Sequence, residues 1–180
     1  MTTTERVSFI SYLEGLSGAG DRAALAALRR GLGRPPGTAI EMHRLVVPWL
    51  KEEGDSWRER VHYLAAALFA SHPLLGKASL AGALAQAAAT TGSGSVERRF
   101  MALLNSHPDD LPDHLRHAVS LVRAKGIALD WHRLFRDLLG WRSPERHVQR
   151  RWARDFWGRG GETTGRPGAP AAQTQETVGG

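Results

Sequence analysis

Residues 130–158, DWHRLFRDLLGWRSPERHVQRRWARDFWG, restrict the possible folds more than any other stretch of the chain. Four of the six tryptophans fall here, Trp131, Trp141, Trp152 and Trp157, beside Arg133, Arg136, Arg142, Arg146, Arg150, Arg151 and Arg154. Indole needs burial and guanidinium needs water, so the segment must sort them onto opposite sides. A helix does this at about 100° per residue. The pattern predicts two short helices joined by a tight corner. Asp130 caps the first. Ser143-Pro144-Glu145 starts the second, with serine at the N-cap, proline at the first helical position and glutamate in the first turn. Gly158 marks its end. Val148, Trp152 and Phe156 recur every four residues on one side of the second helix. Arg146, Arg150 and Arg154 recur on another, with Arg151 nearby. Between 142 and 154 five arginines face one acid, Glu145, a net of +4. Most charge runs are solvated faces, but those mix the two signs more evenly. This stripe suits an anionic partner.

The rest of the chain reads as further helices separated by Gly, Pro and Ser, with no strand pair. Val7, Phe9, Ile10, Leu13 and Leu16 give residues 5–16 an apolar face. Asp21 caps a helix with Leu25, Leu28 and Leu32 inside, which ends by Arg34-Pro35-Pro36. Thr38 and Glu41 match a capping box for the next helix, which Pro48 ends or kinks. Ser56 and Glu59 form a second such box before Val61, Leu64, Ala65, Leu68 and Phe69, the expected centre of the core. Leu80–Thr90 is an alanine-rich helix suited to close packing, and 91–95 is a flexible link. Val96, Phe100, Leu103 and Leu104 form the inner face of the following helix. Asp109 or Asp110 starts another, with Leu115, Val119 and Val122 inside, ending near Gly126. The expectation is an all-α, compact single-domain bundle of about nine helices over residues 1–158. Residues 159–180, rich in Gly, Thr, Pro, Ala and Gln, form a disordered polar tail.

The formal charge of +6 belongs to the folded part, because the tail carries only Arg159 and Arg166 against Glu162 and Glu176. A basic fold favours a polyanionic partner, nucleic acid or an acidic membrane surface. The absence of cysteine excludes disulfides and thiolate metal sites. No apolar run is long enough to span a bilayer, and no leader pattern opens the chain. A soluble, cytoplasmic protein is expected. Arginine clusters outside the closing stripe are Arg29, Arg30 and Arg34; Arg98 and Arg99; and Arg116 and Arg123.

Catalytic patterns are weak. Glu59 and His62 form one Glu-x-x-His, whereas a di-iron bundle needs two plus further glutamates. Asp110, Asp113, His114 and His117 crowd one helix start. The two histidines could share a face and bind metal, but capping and the helix dipole already explain acids at that position. Gly92-Ser-Gly-Ser is neither a nucleophile elbow nor a phosphate loop. Neither a catalytic constellation nor a cofactor is expected.

Five motifs occur in order: Ala-Leu-Arg29-Arg30-Gly-Leu-Gly, Leu-Phe69-Ala-Ser-His72-Pro73, Gly-Ser95-Val-Glu97-Arg98-Arg99-Phe100, Leu129-Asp130-Trp131 and Val-Gln149-Arg150-Arg151-Trp152-Ala-Arg154-Asp-Phe156-Trp157. Together, over residues 5–158, they resemble the CasB family, the small subunit of the type I-E CRISPR surveillance complex Cascade. The resemblance implies an all-helical, non-enzymatic protein that sits as a head-to-tail pair inside the crRNA-bearing backbone. It implies contacts with the backbone subunits, the large subunit and the subunit at the crRNA 3′ end. It also implies a hold on the guide–target duplex and the displaced DNA strand, with cleavage left to a separate helicase-nuclease. The family's binding surface would fall on Arg29, Arg30, Arg98, Arg99, Arg116 and Arg142 through Arg154.

Three functional readings follow. The first is a sequence-tolerant subunit that binds target DNA, displaced DNA and crRNA through Arg29, Arg30, Arg34, Arg98, Arg99, Arg116, Arg123, Arg142, Arg146, Arg150, Arg151 and Arg154. The second is a stand-alone regulator whose Trp141–Trp157 region forms a helix-turn-helix. The third is a metal-dependent enzyme using Asp113, His114 and His117. Some arginines could instead pair with acids such as Asp137 or Asp155.

Overall fold

The computed structural model describes residues 8–50 and 56–158. Val7, Lys51–Asp55 and the polar tail lie outside them. Among the described residues the chain forms nine α-helices: α1 Phe9–Gly18, α2 Arg22–Arg29, α3 His43–Val46, α4 Ser56–Ser71, α5 Leu80–Thr91, α6 Ser93–Asn105, α7 Leu111–Ala124, α8 Trp131–Leu139 and α9 His147–Trp157. The all-α expectation holds, and so does the helix count.

Two helices carry the core. In α4 every residue from Val61 to Ala70 is buried, and the helix packs on α2, α7 and α8. The apolar run at 61–69 thus forms the centre it was expected to form. The second axis is α5, which buries Ala81, Gly82, Ala83, Ala87 and Ala88 against α6, α7 and α9. Its small side chains let three neighbours approach at once, as its composition implied. Large residues fill the spaces between these axes. Phe69 meets Trp131 edge-on at 5.4 Å, and Phe100 stacks on Phe156 at 4.2 Å.

Several expected boundaries are confirmed atom by atom. Asp21 accepts from the Ala24 amide at 2.9 Å, and Asp130 accepts from the Arg133 amide at 2.8 Å. Others differ. Thr38 does not cap a helix: its hydroxyl donates to the Pro35 carbonyl at 2.7 Å, closing the turn instead. Residues 40–49 then alternate between short 3-10 turns and the four-residue α3, because Pro48 cannot continue an α-helix. Ser56 is itself the first described helical residue of α4. The link expected at 91–95 shrinks to Gly92, whose φ of 91° turns the chain directly from α5 into α6.

One short strand was not foreseen. β1, Leu75–Ala78, bridges Leu129 in parallel, with Leu129 and Asp130 amides donating to the Leu74 and Ala78 carbonyls at 3.1 and 2.9 Å. Gly76 permits this approach, since a Cβ there would lie 2.6 Å from that of Ala128. Four residues with three exposed side chains carry no alternating pattern to detect.

His62 is buried on α4 between Phe9 and Phe135, with ring centroids at 4.9 and 5.0 Å, and its Nδ1 lies 2.7 Å from the Arg58 carbonyl. Burial pushes its pKa below the ordinary 6.5. The unfolded chain therefore binds this proton more readily than the folded one. Its contribution to stability is full above the unfolded value and is lost as pH falls below it. Wild-type Tm is expected to drop between pH 7.5 and 5, and His62→Phe is expected to flatten that drop. Equal slopes for the two proteins in calorimetry would remove His62 as the cause.

Candidate nucleic-acid interface

The closing segment keeps its aromatic side and rearranges its charged side. Val148, Trp152 and Phe156 are buried as expected. However, α9 begins at His147, not at Ser143. Ser143 and Pro144 lie in a turn closed by the Arg146 amide donating to the Ser143 carbonyl at 2.9 Å. Proline suits the second position of such a turn as well as it suits a first helical turn, and the turn is formed here. Arg146 becomes the N-cap, in the left-handed region at φ 49°, which costs a non-glycine residue about 1–2 kcal/mol.

Two of the expected binding arginines are committed to the fold. The Arg146 guanidinium donates to the Leu104 carbonyl in the last turn of α6, a favourable place for a cation. Arg151 pairs with Asp137, a buried carboxylate that also accepts from the Trp152 indole at 2.6 Å. An isolated charge could not stay buried there, so Arg151 balances it. Asp155 plays a similar part, taking Arg133 and the hydroxyl of Ser79, the N-cap of α5.

The other ten predicted residues are distributed as follows. Arg29 and Arg30 are exposed at the end of α2, and Arg30 pairs with Glu41 at 3.2 Å. Arg98 is exposed on α6, with Nε donating to the Gly94 carbonyl at 3.3 Å. Arg123 is exposed in the last turn of α7. Arg150 and Arg154 are exposed on α9 and have no carboxylate partner among the described residues.

The remaining four, Arg34, Arg99, Arg116 and Arg142, are brought into a connected series. Arg99 borders a cleft between α6 and α7 together with His114 and His117. The His117 ring lies 3.3 Å from the Arg116 guanidinium. Arg116, Arg34 and Arg60 line the next groove, beside the 31–36 turn. Arg60 and Arg142 then flank the Trp57 indole at 5.7 and 5.8 Å from its centroid, cation–π distances. The Trp57 N–H donates to the Leu138 carbonyl, which fixes the indole near both cations.

This path contains acids. Arg60 bonds Asp109 at 2.9 Å, and Arg116 reaches Asp113 at 3.4 Å. The Arg60 hydrogen bond, with the nearby His107 and Arg142, holds the Asp109 carboxyl below its usual range. Five guanidiniums against two carboxylates leave a net of three positive charges. Arg116 Nε is buried and has no hydrogen-bond partner among the described residues.

Sequence reasoning missed Arg60, which sits in the helix that forms the centre of the core. The available signal was its spacing three residues after Trp57 on α4. The histidine pair lies beside this path, lining the cleft with Arg99, and His117 contacts Arg116. No group of three or more His, Asp or Glu placed to share a metal ion occurs among the described residues. No described helix is long and apolar enough to cross a membrane.

Comparison with known proteins gives a consistent result. The family described as CRISPR-associated protein Cse2 matches residues 24–157. A Cse2 protein of Thermus thermophilus is 45% identical over 159 residues, covering 84% of this chain and 89% of its own length. The crystal structure of a Cse2-family protein from Thermus thermophilus aligns with a TM-score of 0.76 at 42% identity, over 88% of this chain and 99% of that one. A chain of a solved CRISPR RNA-guided surveillance complex aligns with a TM-score of 0.71 at 31% identity, over 83% of this chain and 89% of that one.

Proposed function

The chain belongs to the Cse2 family of CRISPR-associated proteins, and from that premise we propose that it is a non-catalytic, sequence-tolerant nucleic-acid-binding subunit of a CRISPR RNA-guided surveillance complex. Its task is to hold the guide–target duplex and the displaced DNA strand, so that the opened duplex does not close. The observation that carries this reading is the connected series of guanidiniums from Arg99 through Arg116, Arg34 and Arg60 to Arg142.

The chemistry fits a partner whose sequence changes with every guide. Such a partner must be held through its backbone, because base-edge contacts would select one sequence. Guanidinium forks match phosphate oxygens in pairs, and their faces accept a stacked base. Several cations spaced along a path hold a strand without fixing its register. R-loop formation is nearly balanced energetically, so a modest hold on the displaced strand shifts it toward the open form.

Within the complex the chain contacts the backbone subunits, the large subunit and the subunit at the crRNA 3′ end, and it pairs head-to-tail with a second copy. Arg29, Arg30, Arg98, Arg123, Arg150 and Arg154 supply outlying contacts to nucleic acid or to these neighbours. The helix-turn-helix reading loses support at α9, where Arg146 and Arg151 are engaged within the fold.

Reconstitution tests the proposal. A surveillance complex is assembled with and without this chain, and permanganate reactivity follows opened thymines in the target. The expected result is a longer-lived R-loop with the chain present, for unrelated target sequences alike. Equal R-loop lifetimes would refute the role, and a strong preference for one duplex sequence would favour a regulator.

A further inference from the structure

The cleft at the Arg99 end of the path has a lining that phosphate binding alone does not explain. It measures about 360 Å³ and lies among α5, α6 and α7, near the lower end of the roughly 300–1,000 Å³ typical of small-ligand sites. Its floor is apolar: Leu84, Val96, Phe100 and Leu103 are buried, and Leu121 is half-buried. Its polar members are Arg99, His114 and His117, and Ala102 is exposed at its border. A purely electrostatic strand site has no need of an apolar recess, and a plain core has no need of three nitrogen-bearing side chains around an opening.

We infer that this cleft is a nucleobase pocket: it receives one unstacked base of a single strand whose phosphates run along the Arg99–Arg116 path. This rests on the nucleic-acid reading above and specifies which form of nucleic acid the site takes. The apolar floor accepts the face of any base. Each imidazole carries one donor and one acceptor in its neutral form, and either ring nitrogen can hold the proton. The pair can therefore meet the edge of any base without selecting one. Arg99 lines the same cleft and is exposed, available to the attached phosphate, and His117 beside it in the lining lies 3.3 Å from Arg116. The alternative occupant, an apolar side chain of a protein partner, would offer the three nitrogen-bearing groups no hydrogen-bond partner.

The test uses the full-length chain and two single-stranded 12-mers, one of thymidines and one with abasic residues at every position. Stacking of a base on an aromatic side chain is worth roughly fivefold to 150-fold in affinity per base. The thymidine strand is expected to bind about tenfold tighter than the abasic strand. Ala102→Trp, which places an indole at the border of the cleft from an exposed position, is expected to abolish that difference while leaving abasic binding unchanged. His114→Ala with His117→Ala is expected to reduce the difference without altering the fold. A 2-aminopurine placed in the strand is expected to brighten on binding wild type and not on binding Ala102→Trp. Equal affinity for the two strands, with both still bound, would overturn the pocket and leave the cationic path standing. Failure to bind either strand would overturn both. A change in self-association with Ala102→Trp, with strand binding unaltered, would assign the cleft to a protein partner and also overturn the proposal.

Discussion

Arg151→Gln is expected to cost about 2–3 kcal/mol of folding stability, whereas Arg150→Gln next to it costs less than about 0.5 kcal/mol. The two substitutions remove the same charge from adjacent positions on α9. Their effects differ because of what each side chain touches. Arg150 points into solvent without a carboxylate partner among the described residues. Arg151 balances Asp137, whose side chain is 4% exposed. Taking away one partner of a buried pair commonly costs about 3–5 kcal/mol, because the other charge stays buried. The loss here is smaller because the Arg151 side chain is itself 41% exposed and solvent screens part of the interaction. The Trp152 indole still donates to Asp137 in the variant, which limits the loss further.

For a domain of this size the change amounts to about 5–10 °C in Tm. Thermal unfolding of the two variants measures it directly. A double-mutant cycle with Asp137→Asn isolates the pair, and a coupling near zero would show that Arg151 is only another surface cation. Weaker nucleic-acid binding by Arg151→Gln must therefore be read beside its melting curve before it is ascribed to lost contacts.

This pair also shows how far the chain could be read without coordinates. Helical periodicity is local, and it located α4, α5, α7 and the buried side of α9 from the spacing of apolar residues. Caps are local too, which is why Asp21 and Asp130 were placed correctly. Charge partners are not local. Asp137 stood fourteen residues from Arg151 on a different helix, and the sequence could name it as a possible partner but not choose between it and solvent. Arg146 shows a different limit. Its place on the expected stripe depended on where α9 began. Ser143-Pro144 is equally good chemistry for a turn, so the shift to His147 removed Arg146 from that stripe. Thr38 failed as a cap for a related reason, since its hydroxyl found a nearer carbonyl. The connected path was the least legible feature. Arg99, Arg116, Arg34 and Arg142 come from separate clusters, and Arg60, which joins them, lies in a helix read only as core.

The strongest functional effect is expected from Arg99→Gln, Arg116→Gln and Arg142→Gln combined. Each cation that neutralises a phosphate releases counterions, so the salt dependence of binding counts such contacts. Removing three is expected to reduce the slope of log affinity against log salt by about 2 on single strands and about 2.7 on duplex. At 50 mM salt this corresponds to a loss of roughly three decades in affinity, shrinking as salt rises. Glutamine is preferable to glutamate here, because Asp109 and Asp113 lie on the path and a reversed charge beside them would threaten the fold. The matched control is Arg22→Gln, Lys77→Gln and Arg136→Gln, three exposed cations outside the grooves of the path. Both triple variants carry the same net charge, so long-range attraction falls equally in each. Only the first loses members of the connected series. Titrations of a random-sequence strand at several salt concentrations separate the two effects. If the control loses as much slope as the path variant, net charge alone governs binding and the arrangement of guanidiniums has no special role. If only the path variant loses it, the strand follows the surface from Arg99 to Arg142.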